Sequence, residues 1–336
     1  MHRKRRHLFL LHLFLIFWIP WTVAAQESTV YISVVATKLF VVGAANPRTG
    51  LHFQHPSADT VWQHSGPNNI RAFGCAVQPG SQQRILYIAS GNGVHKSTDG
   101  GATWKVTTGW NITEVLSVSP DPRDPNRVYI ATPYGVFRTT DGCATWKECN
   151  RGLDSRFVPQ VLASPLNDKE VYCVTEDGAY VSRDGAERWI RMGLSVGNVR
   201  SIAQHPRNPQ ILAVGTENHG IYMSTNGGQW WTRREAGVDH LTFYTVVFDP
   251  NGPDTMYAGG YVTGIYKSID AGQSWKRINK GLAALTFHTI AVDPRNSQRI
   301  YAGAYWGGVY RSENGGGEWN PIGPPDSQVW TIFIHP

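Results

Sequence analysis

Seven tryptophans recur along this chain at nearly constant steps of 42 to 44 residues. A fixed period of this length is the signature of a repeat architecture, in which each repeat is one supersecondary unit. Six of the seven tryptophans close the same short phrase, which reads Ser-Thr-Asp-Gly-Gly-Ala-Thr-Trp in its cleanest copy, Ser97–Trp104. The seven positions are Trp62, Trp104, Trp146, Trp189, Trp231, Trp275 and Trp319.

Each repeat contains four short strand-like pieces. In one copy they are Glu114–Pro120, Arg127–Thr132, Gly135–Thr139 and Thr145–Glu148. They are rich in β-branched or aromatic residues and are bounded by Gly, Pro, Asn or Asp, which is typical of strands joined by tight turns. Four strands per repeat match a propeller blade. The sequence therefore predicts an all-β fold, a seven-bladed β-propeller with four-stranded blades, in one domain over residues 26–336.

The two ends of the chain indicate how the ring closes. The C-terminal stretch Gln328–Pro336 matches the first strand of a repeat, and the N-terminal unit supplies Leu39–Val42, Leu51–Phe53 and Val61–Trp62. We predict that the C-terminal strand becomes the inner strand of the N-terminal blade, because that pairing removes two open strand edges. The stretch Val30–Val35 also resembles a strand and competes for the same place.

Residues 1–25 have the pattern of a cleavable signal peptide. A basic stretch, Arg3–Arg6, precedes an apolar run, Leu8–Trp21, and the small residues Val23–Ala25. A retained N-terminal anchor is the alternative, although the run falls short of the roughly 20 residues of a membrane span. We expect a secreted or periplasmic monomer that contacts a membrane only through this segment. Four positive charges of the net +6 lie in the segment, so charge gives no argument for nucleic-acid binding.

The repeated phrase has a structural explanation. Gly100 and Gly101 permit the positive φ of a tight turn, the Asp or Asn can hydrogen-bond nearby amides, and the Trp can be buried between strands. A catalytic residue is needed once rather than in every blade, so we predict a structural role for all of them. These residues are Asp99, Trp104, Asp141, Trp146, Asp184, Trp189, Asn226, Trp231, Asp270, Trp275, Asn314 and Trp319.

The phrase Ser-x-Asp-x-Gly-x-Thr-Trp resembles the Asp-box, or BNR repeat, of the sialidase-like propeller superfamily. It is matched in full at Ser97–Trp104, whereas Arg188, Trp230 and Glu318 replace the Thr in three other copies. The surrounding phrase is similar to that of xyloglucanase-type glycoside hydrolases and sortilin-type receptors. Photosystem II assembly factors are similar in length, export signal and seven-blade plan. Because sites are grafted onto folds, the resemblance implies the fold far more strongly than the function.

The catalytic residues of the families that this sequence resembles are not matched as a complete set in this chain. Sialidases have an Arg-Ile-Pro phrase and an arginine triad; the phrase is absent here, although Arg71, Arg156 and Arg200 lie at comparable strand starts. Xyloglucanases of this type use a cleft between two tandem propellers with an Asp from each, and this chain has repeats for one propeller.

A candidate site emerges where the repeats differ from one another. When the inner strands are aligned on their terminal prolines, the position four residues before the proline is always apolar, and the position six residues before it is chemically diverse. This diverse position lies at the strand start and should form one rim of the central channel, where propeller ligands commonly bind. Its seven residues are Phe73, Glu114, Pro159, Arg200, Tyr244, His288 and Trp330.

Two functions remain open for this rim. In the first, the protein binds a glycan or protein ligand without catalysis, with Tyr244 and Trp330 stacking on a sugar and Arg200 pairing with a carboxylate. The candidate ligand-binding residues are Phe73, Arg200, Tyr244, His288, Trp330, Arg71 and Arg156. In the second, it is a glycoside hydrolase with Glu114 or His288 as acid or base. That chemistry usually needs two carboxylates, so the candidates are Glu114, Asp154, Asp239 and Asp326. Side chains that only fill a channel mouth are the third interpretation.

No cofactor or metal site is predicted, because the histidines lack metal-ligand spacing. The four cysteines are few for a secreted disulfide scaffold, and the sequence does not select a pairing among Cys75, Cys143, Cys149 and Cys173.

Overall fold

The computed structural model describes residues 28–38, 49–55, 61–81 and 84–336. Within these ranges every helix or strand assigned is a β-strand, and the strands form seven antiparallel four-stranded sheets. This confirms the predicted all-β, seven-bladed propeller. The predicted signal segment 1–25 and the predicted strand Leu39–Val42 lie outside the described residues. The described part of the chain has no helix with the length and apolarity required to cross a membrane.

The strands follow the predicted order of the repeats. The closing blade contains β1 (Thr29–Thr37), β2 (Gly50–Gln54) and β3 (Gln63–Ser65). Blades 1 to 3 consist of β4 (Ala72–Val77), β5 (Leu86–Ser90), β6 (Gly93–Ser97) and β7 (Lys105–Val106); β8 (Ser117–Pro120), β9 (Val128–Thr132), β10 (Gly135–Thr139) and β11 (Lys147–Glu148); and β12 (Gln160–Ala163), β13 (Val171–Val174), β14 (Ala179–Ser182) and β15 (Ile190–Arg191). Blades 4 to 6 consist of β16 (Val199–Gln204), β17 (Leu212–Thr216), β18 (Ile221–Ser224) and β19 (Thr232–Arg233); β20 (Phe243–Phe248), β21 (Met256–Gly260), β22 (Ile265–Ser268) and β23 (Lys276–Arg277); and β24 (Phe287–Asp293), β25 (Asn296–Ala304), β26 (Val309–Ser312) and β27 (Asn320–Gly323).

The last strand, β28 (Ser327–His335), completes the closing blade, whose order is β28-β1-β2-β3. The C-terminal strand is thus the first strand of the N-terminal blade, as predicted, and Val30–Val35 lies in β1 as the second strand, so the two do not compete. The first strands of neighbouring blades contact one another around a complete circle, which places them at the channel.

The predicted piece Val61–Trp62 lies directly before β3, which begins at Gln63, just as Trp146 lies directly before β11. Trp62 reaches the neighbouring blade, where its indole N–H donates to the carbonyl of Ile322 at 2.8 Å. The residue therefore joins the two blades at the point of closure rather than extending the strand.

The hydrophobic core is divided among the interfaces between blades. Seven clusters of buried side chains can be distinguished. The second strands supply fully buried tyrosines, such as Tyr87 and Tyr129. The cysteines are buried free thiols, and burial raises the pKa of Cys75 to about 12 and that of Cys143 to about 11. These thiols act as small apolar side chains, since a protonated thiol is a poor nucleophile.

The repeated phrase forms the turn between the third and fourth strands, on the face of the ring opposite the starts of the first strands. Asp99 accepts hydrogen bonds from the Ser97 hydroxyl at 2.8 Å and from the Thr103 amide at 2.9 Å. In another blade Asn226 accepts the equivalent bonds from Ser224 and Trp230. The indole N–H groups of Trp146, Trp189 and Trp319 donate to carbonyls of the preceding blade. In these three copies the indole thus links two neighbouring blades, whereas the indoles of Trp104 and Trp231 donate to carbonyls within their own turns.

Candidate functional site

The opposite end of the channel is built from interruptions in the sheets. In five blades the first strand contains a β-bulge, and the residue without a cross-strand partner is always the diverse position identified in the sequence. The five residues are Phe73, Arg200, Tyr244, His288 and Trp330. A bulge disrupts the local ladder and re-aims a side chain. The other two diverse residues, Glu114 and Pro159, precede the first strands of their blades.

Four of the bulged residues form a continuous group, which we call the aromatic arc (Phe73, Trp330, His288 and Tyr244). The His288 ring lies between Tyr244 and Trp330, with both centroid distances at 4.9 Å and interplanar angles of 9° and 16°. Phe73 meets Trp330 edge to face at 5.3 Å. The arc joins side chains from four neighbouring blades, so it depends on the closed ring and not on any one repeat.

Burial keeps the centre of the arc uncharged. It lowers the pKa of the His288 imidazole to about 4, so the ring is neutral at physiological pH. Burial also raises the pKa of the Tyr244 hydroxyl, and the nearby Glu217, Tyr261 and Tyr305 raise it further. His288 Nε2 and Trp330 Nε1 are buried and have no hydrogen-bond partner among the described protein residues. Two polar atoms beneath the mouth are therefore left without a protein partner, as are the buried hydroxyls of Tyr87 and Tyr129 elsewhere in the ring.

A partly buried ion pair lies beside the arc. The Nε and Nη2 atoms of Arg200 both donate to one carboxylate oxygen of Glu217, with the Nε bond at 2.8 Å. The Arg200 guanidinium also lies 5.9 Å from the centre of the Phe157 ring. Glu217 was missed by the sequence analysis, because it belongs to the turn after β17 and not to a first strand. Arg200 is consequently half of a neutral pair and not an isolated cation.

The two other candidate arginines have different surroundings. Arg71 is exposed and places its guanidinium 5.1 Å from the centre of the Phe73 ring. Within the described ranges no carboxylate forms an ion pair with it. Arg156 forms a surface pair with Glu148 at 3.1 Å. The structure therefore brings Arg71 to the arc, Arg200 close to it, and Arg156 into a separate surface contact.

The four candidate catalytic carboxylates lie in four different blade connections. Asp154 accepts a hydrogen bond from the Tyr180 hydroxyl at 3.0 Å, and Asp239 accepts from Tyr266 and, at 2.6 Å, from Arg277. Asp326 lies 3.8 Å from the Lys38 ammonium. No described contact joins Glu114 to any of these three aspartates. The hydrolase hypothesis stays a prediction. Asp154 and Asp239 accept hydrogen bonds from nearby side chains, and these bonds give both carboxylates a structural role.

Exposed apolar side chains extend the arc on blades 4 to 6. They form what we call the apolar row: Leu241, Tyr261, Val262, Leu285 and Tyr305. Backbone bonds connect the segments that bear them: Tyr261 N–H donates to Thr242 O at 3.2 Å, and Tyr305 N–H donates to Thr286 O at 2.9 Å. The Tyr305 ring lies 5.4 Å from His288. The sequence analysis missed the row, although the lack of charged residues in 241–244, 261–264 and 283–288 was a usable signal.

Other features of the surface do not resemble a binding site as closely. Depressions of about 370 and about 550 Å³ lie between neighbouring blades, and their linings include Asp184 and Asp99 respectively. Both are therefore next to the repeated turns, at the end of the channel opposite the arc. Among the residues described, no cluster of three or more His, Cys, Asp or Glu side chains has the arrangement of a metal site.

Comparisons with known proteins agree with the fold. A family model, Sortilin-Vps10 (sortilin, neurotensin receptor 3), matches residues 134–258. No curated protein sequence matches the chain. A GH74 enzyme from Niastella koreensis is 19% identical with a TM-score of 0.61, covering 77% of this chain and 45% of its own. YCF48 bound to D1 peptide is 17% identical with a TM-score of 0.60, covering 81% and 95%.

A third solved structure is the extracellular domain of the putative hybrid two-component system BT4673 from B. thetaiotaomicron. It is 14% identical with a TM-score of 0.63, covering 86% of this chain and 38% of its own. The chain thus spans less than half the length of the GH74 and BT4673 structures that it matches. At these identities the similarity concerns the fold alone: the chain is a seven-bladed β-propeller of the type that these proteins share with the sortilin family model.

Proposed function

We propose that this protein is an exported propeller that binds a glycan or protein ligand at the channel rim, without turnover. The observation that supports this best is the coincidence of five bulges with five chemically different side chains at one end of the channel. A bulge gives up ladder pairing, and bulges are frequent next to functional sites. Interior packing does not account for five different side chains at equivalent positions, whereas a ligand that makes several distinct contacts would.

Export is part of the proposal. It rests on the signal-like residues 1–25 and agrees with the extracellular domain among the structural relatives. The relatives also include a propeller bound to a peptide and an enzyme of a glycoside hydrolase family, so both ligand classes occur on similar folds.

The test is a binding screen with a matched pair of tryptophan variants. The full chain would be applied to a glycan array and to an array of synthetic peptides, beside Trp330→Ala and Trp230→Ala. Trp230 is 74% exposed and lies in a repeated turn, at the end opposite the arc. We expect Trp330→Ala to lose most of the captured ligand while Trp230→Ala behaves as the parent protein. Equal binding by all three proteins would reject the rim as the site.

A further inference from the structure

The faces of the aromatic arc are largely used within the molecule. His288 covers one face of Tyr244 and one face of Trp330, and Phe73 directs an edge contact at Trp330. A sugar that stacks on an aromatic residue needs a free ring face, whereas an apolar side chain of a protein also packs well against ring edges. The internal stacking therefore favours a ligand that contacts the arc by its edges.

The apolar row adds exposed surface without adding charge. The segments 241–244, 261–264, 283–288 and 304–308 contain no Asp, Glu, Lys or Arg. Tyr261 is 58% exposed, and Tyr305, which contacts His288, is 39% exposed. A contiguous apolar surface of this kind marks an interaction site, and Tyr, Trp and Phe are the residue types enriched at the centres of protein interfaces. A glycan, with hydroxyls on most carbons, would leave many of these hydroxyls unpaired against such a surface.

Positive charge borders this apolar surface at its Phe73 end. Arg71 packs on Phe73 and has no ion-pair partner among the described residues, whereas Lys38 is paired with Asp326 at 3.8 Å and adds no unpaired charge. The other end is closed by the neutral Arg200–Glu217 pair. A ligand that fits the surface is therefore apolar along its length and negatively charged at the end beside Arg71.

We infer that the aromatic arc and the apolar row together bind a segment of another protein that presents aliphatic or aromatic side chains next to a carboxylate. This inference rests on the proposed function and specifies its ligand class. A complementary carboxylate beside Arg71 fixes the direction in which the segment lies.

The test uses four series of short synthetic peptides and a glycan array. The peptides combine an apolar or a polar segment with an acidic or a basic flank, so that the two properties vary independently. Each series would be measured with the full chain, Tyr261→Ser, Tyr305→Ser, Arg71→Gln and the control Trp230→Ser. Thermal unfolding of each variant would confirm that the fold persists, which is expected because the substituted side chains are exposed or half-exposed.

We expect the apolar peptides with an acidic flank to bind most tightly. Removal of either row tyrosine should weaken them by about tenfold or more, as interface aromatic anchors do. Arg71→Gln should remove the preference for the acidic over the basic flank, and Trp230→Ser should change nothing. Binding of glycans alone, lost in Trp330→Ala, would overturn the inference and leave the proposed rim site intact. Peptide binding that survives every rim variant would overturn both, and absence of any peptide binding would overturn the inference.

Discussion

The two ends of the channel follow opposite rules, although each blade contributes to both. At the end with the repeated turns, Asp99, Asp141 and Asp270 accept the same hydrogen bonds from the residues at the same spacing. At the rim, equivalent positions hold Phe73 in one blade and Arg200 in another, and each interrupts its sheet. Residues that recur in every blade therefore stabilise the fold. Residues that differ between blades at an equivalent position indicate a function that the protein performs at one place.

The repeated turns and the rim also differ in how they affect the stability of the fold. The repeated turn gives its Asp or Asn side chain hydrogen-bond partners and packs an indole against the blade, so it adds to stability, although the buried Trp275 Nε1 has no partner. The rim does the reverse: it omits ladder pairs, leaves His288 Nε2 and Trp330 Nε1 without protein partners, and exposes the apolar row. Natural proteins violate local rules of this kind mainly at functional sites.

Two tryptophans test the contrast directly: Trp319 directly precedes β27, and Trp330 lies in β28. Trp319 is 1% exposed and donates its indole N–H to Ile278 O of the preceding blade at 2.8 Å. Trp319→Ala should lower the free energy of unfolding by about 3–5 kcal/mol, as truncation of a buried aromatic residue does. Trp330→Ala should cost less, because this side chain is less completely buried than Trp319, yet it should abolish ligand capture. Urea unfolding of both variants gives the ranking, and a larger loss for Trp330→Ala would contradict the division of roles.

The fold could be predicted from the sequence because the period of the repeat is itself a structural quantity. Each unit had to be a supersecondary element of about 43 residues, and only stacking of neighbours could bury its apolar face. The uncertain place was the closing blade, where Val30–Val35 and the C-terminal strand both had strand character. The sequence could not show that they pair with each other, since pairing between distant strands leaves no local signal.

The sequence predicted where the candidate site lies, but not which contacts its residues make. Alignment on the strand prolines found the five residues that the structure places on bulges, because the alignment measures distance from a fixed point of each blade. The bulges themselves were not visible in the sequence. Glu217 and Tyr305 belong to turns outside the aligned strands, and the stacking of Tyr244, His288 and Trp330 depends on the angle between blades. Such angles follow from packing of the whole ring.

The rim should make stability depend on pH through His288. Its folded pKa of about 4 lies below the ordinary value of 6.5. As the pH falls from about 6.5 to about 4, the unfolded chain binds a proton that the folded chain does not, so the free energy of unfolding falls by up to about 3 kcal/mol. His288→Phe should lack this loss.

The measurement is urea unfolding of both proteins near neutral pH and near pH 4. Burial also lowers the pKa values of His95, His205 and His335. These residues are common to both proteins, so the difference between the two pH profiles isolates His288. If the free energy of unfolding changed with pH in the same way in both proteins, the imidazole would have a partner that stabilises its charged form.

The repeated turns predict a smaller, local effect. Hydrogen bonds from Thr103 and Ser97 lower the pKa of the Asp99 carboxyl to about 2. Asp99→Ala should lower the Tm, whereas Asp99→Asn should keep most of it near neutral pH, because Asn226 and Asn314 accept equivalent bonds in their own turns. Since the folded pKa is depressed, the stabilisation by Asp99 is present above pH 3.8 and is lost as the pH falls towards 2. Thermal unfolding of the Asn variant should lack that acid-dependent loss. Loss of ligand binding in either variant would break the separation between the two ends.

The smallest effect is expected at Glu114, the carboxylate on which the glycosidase hypothesis depends most. No described contact brings Asp154, Asp239 or Asp326 to it, and the first two have tyrosine donors of their own. Retaining and inverting glycosidases both require two carboxyl groups at a defined separation. We therefore expect neither the parent protein nor Glu114→Gln to hydrolyse oligosaccharides, and we expect the free energy of unfolding to change by about 0.5 kcal/mol, because Gln keeps the size of this half-buried side chain.

The assay has a clear contrary outcome. If the parent protein releases sugars, and Glu114→Gln does so about 100- to 10,000-fold more slowly, Glu114 is a general acid or base and the rim is an active site. Asp239→Asn is the matched control, because Asp239 already accepts hydrogen bonds from Tyr266 and Arg277. A rate loss in Glu114→Gln that is absent in Asp239→Asn would show that the diverse position of blade 2 performs chemistry. In that case the non-repeated residues would catalyse a reaction in one half of the rim and pack against the ligand in the other half.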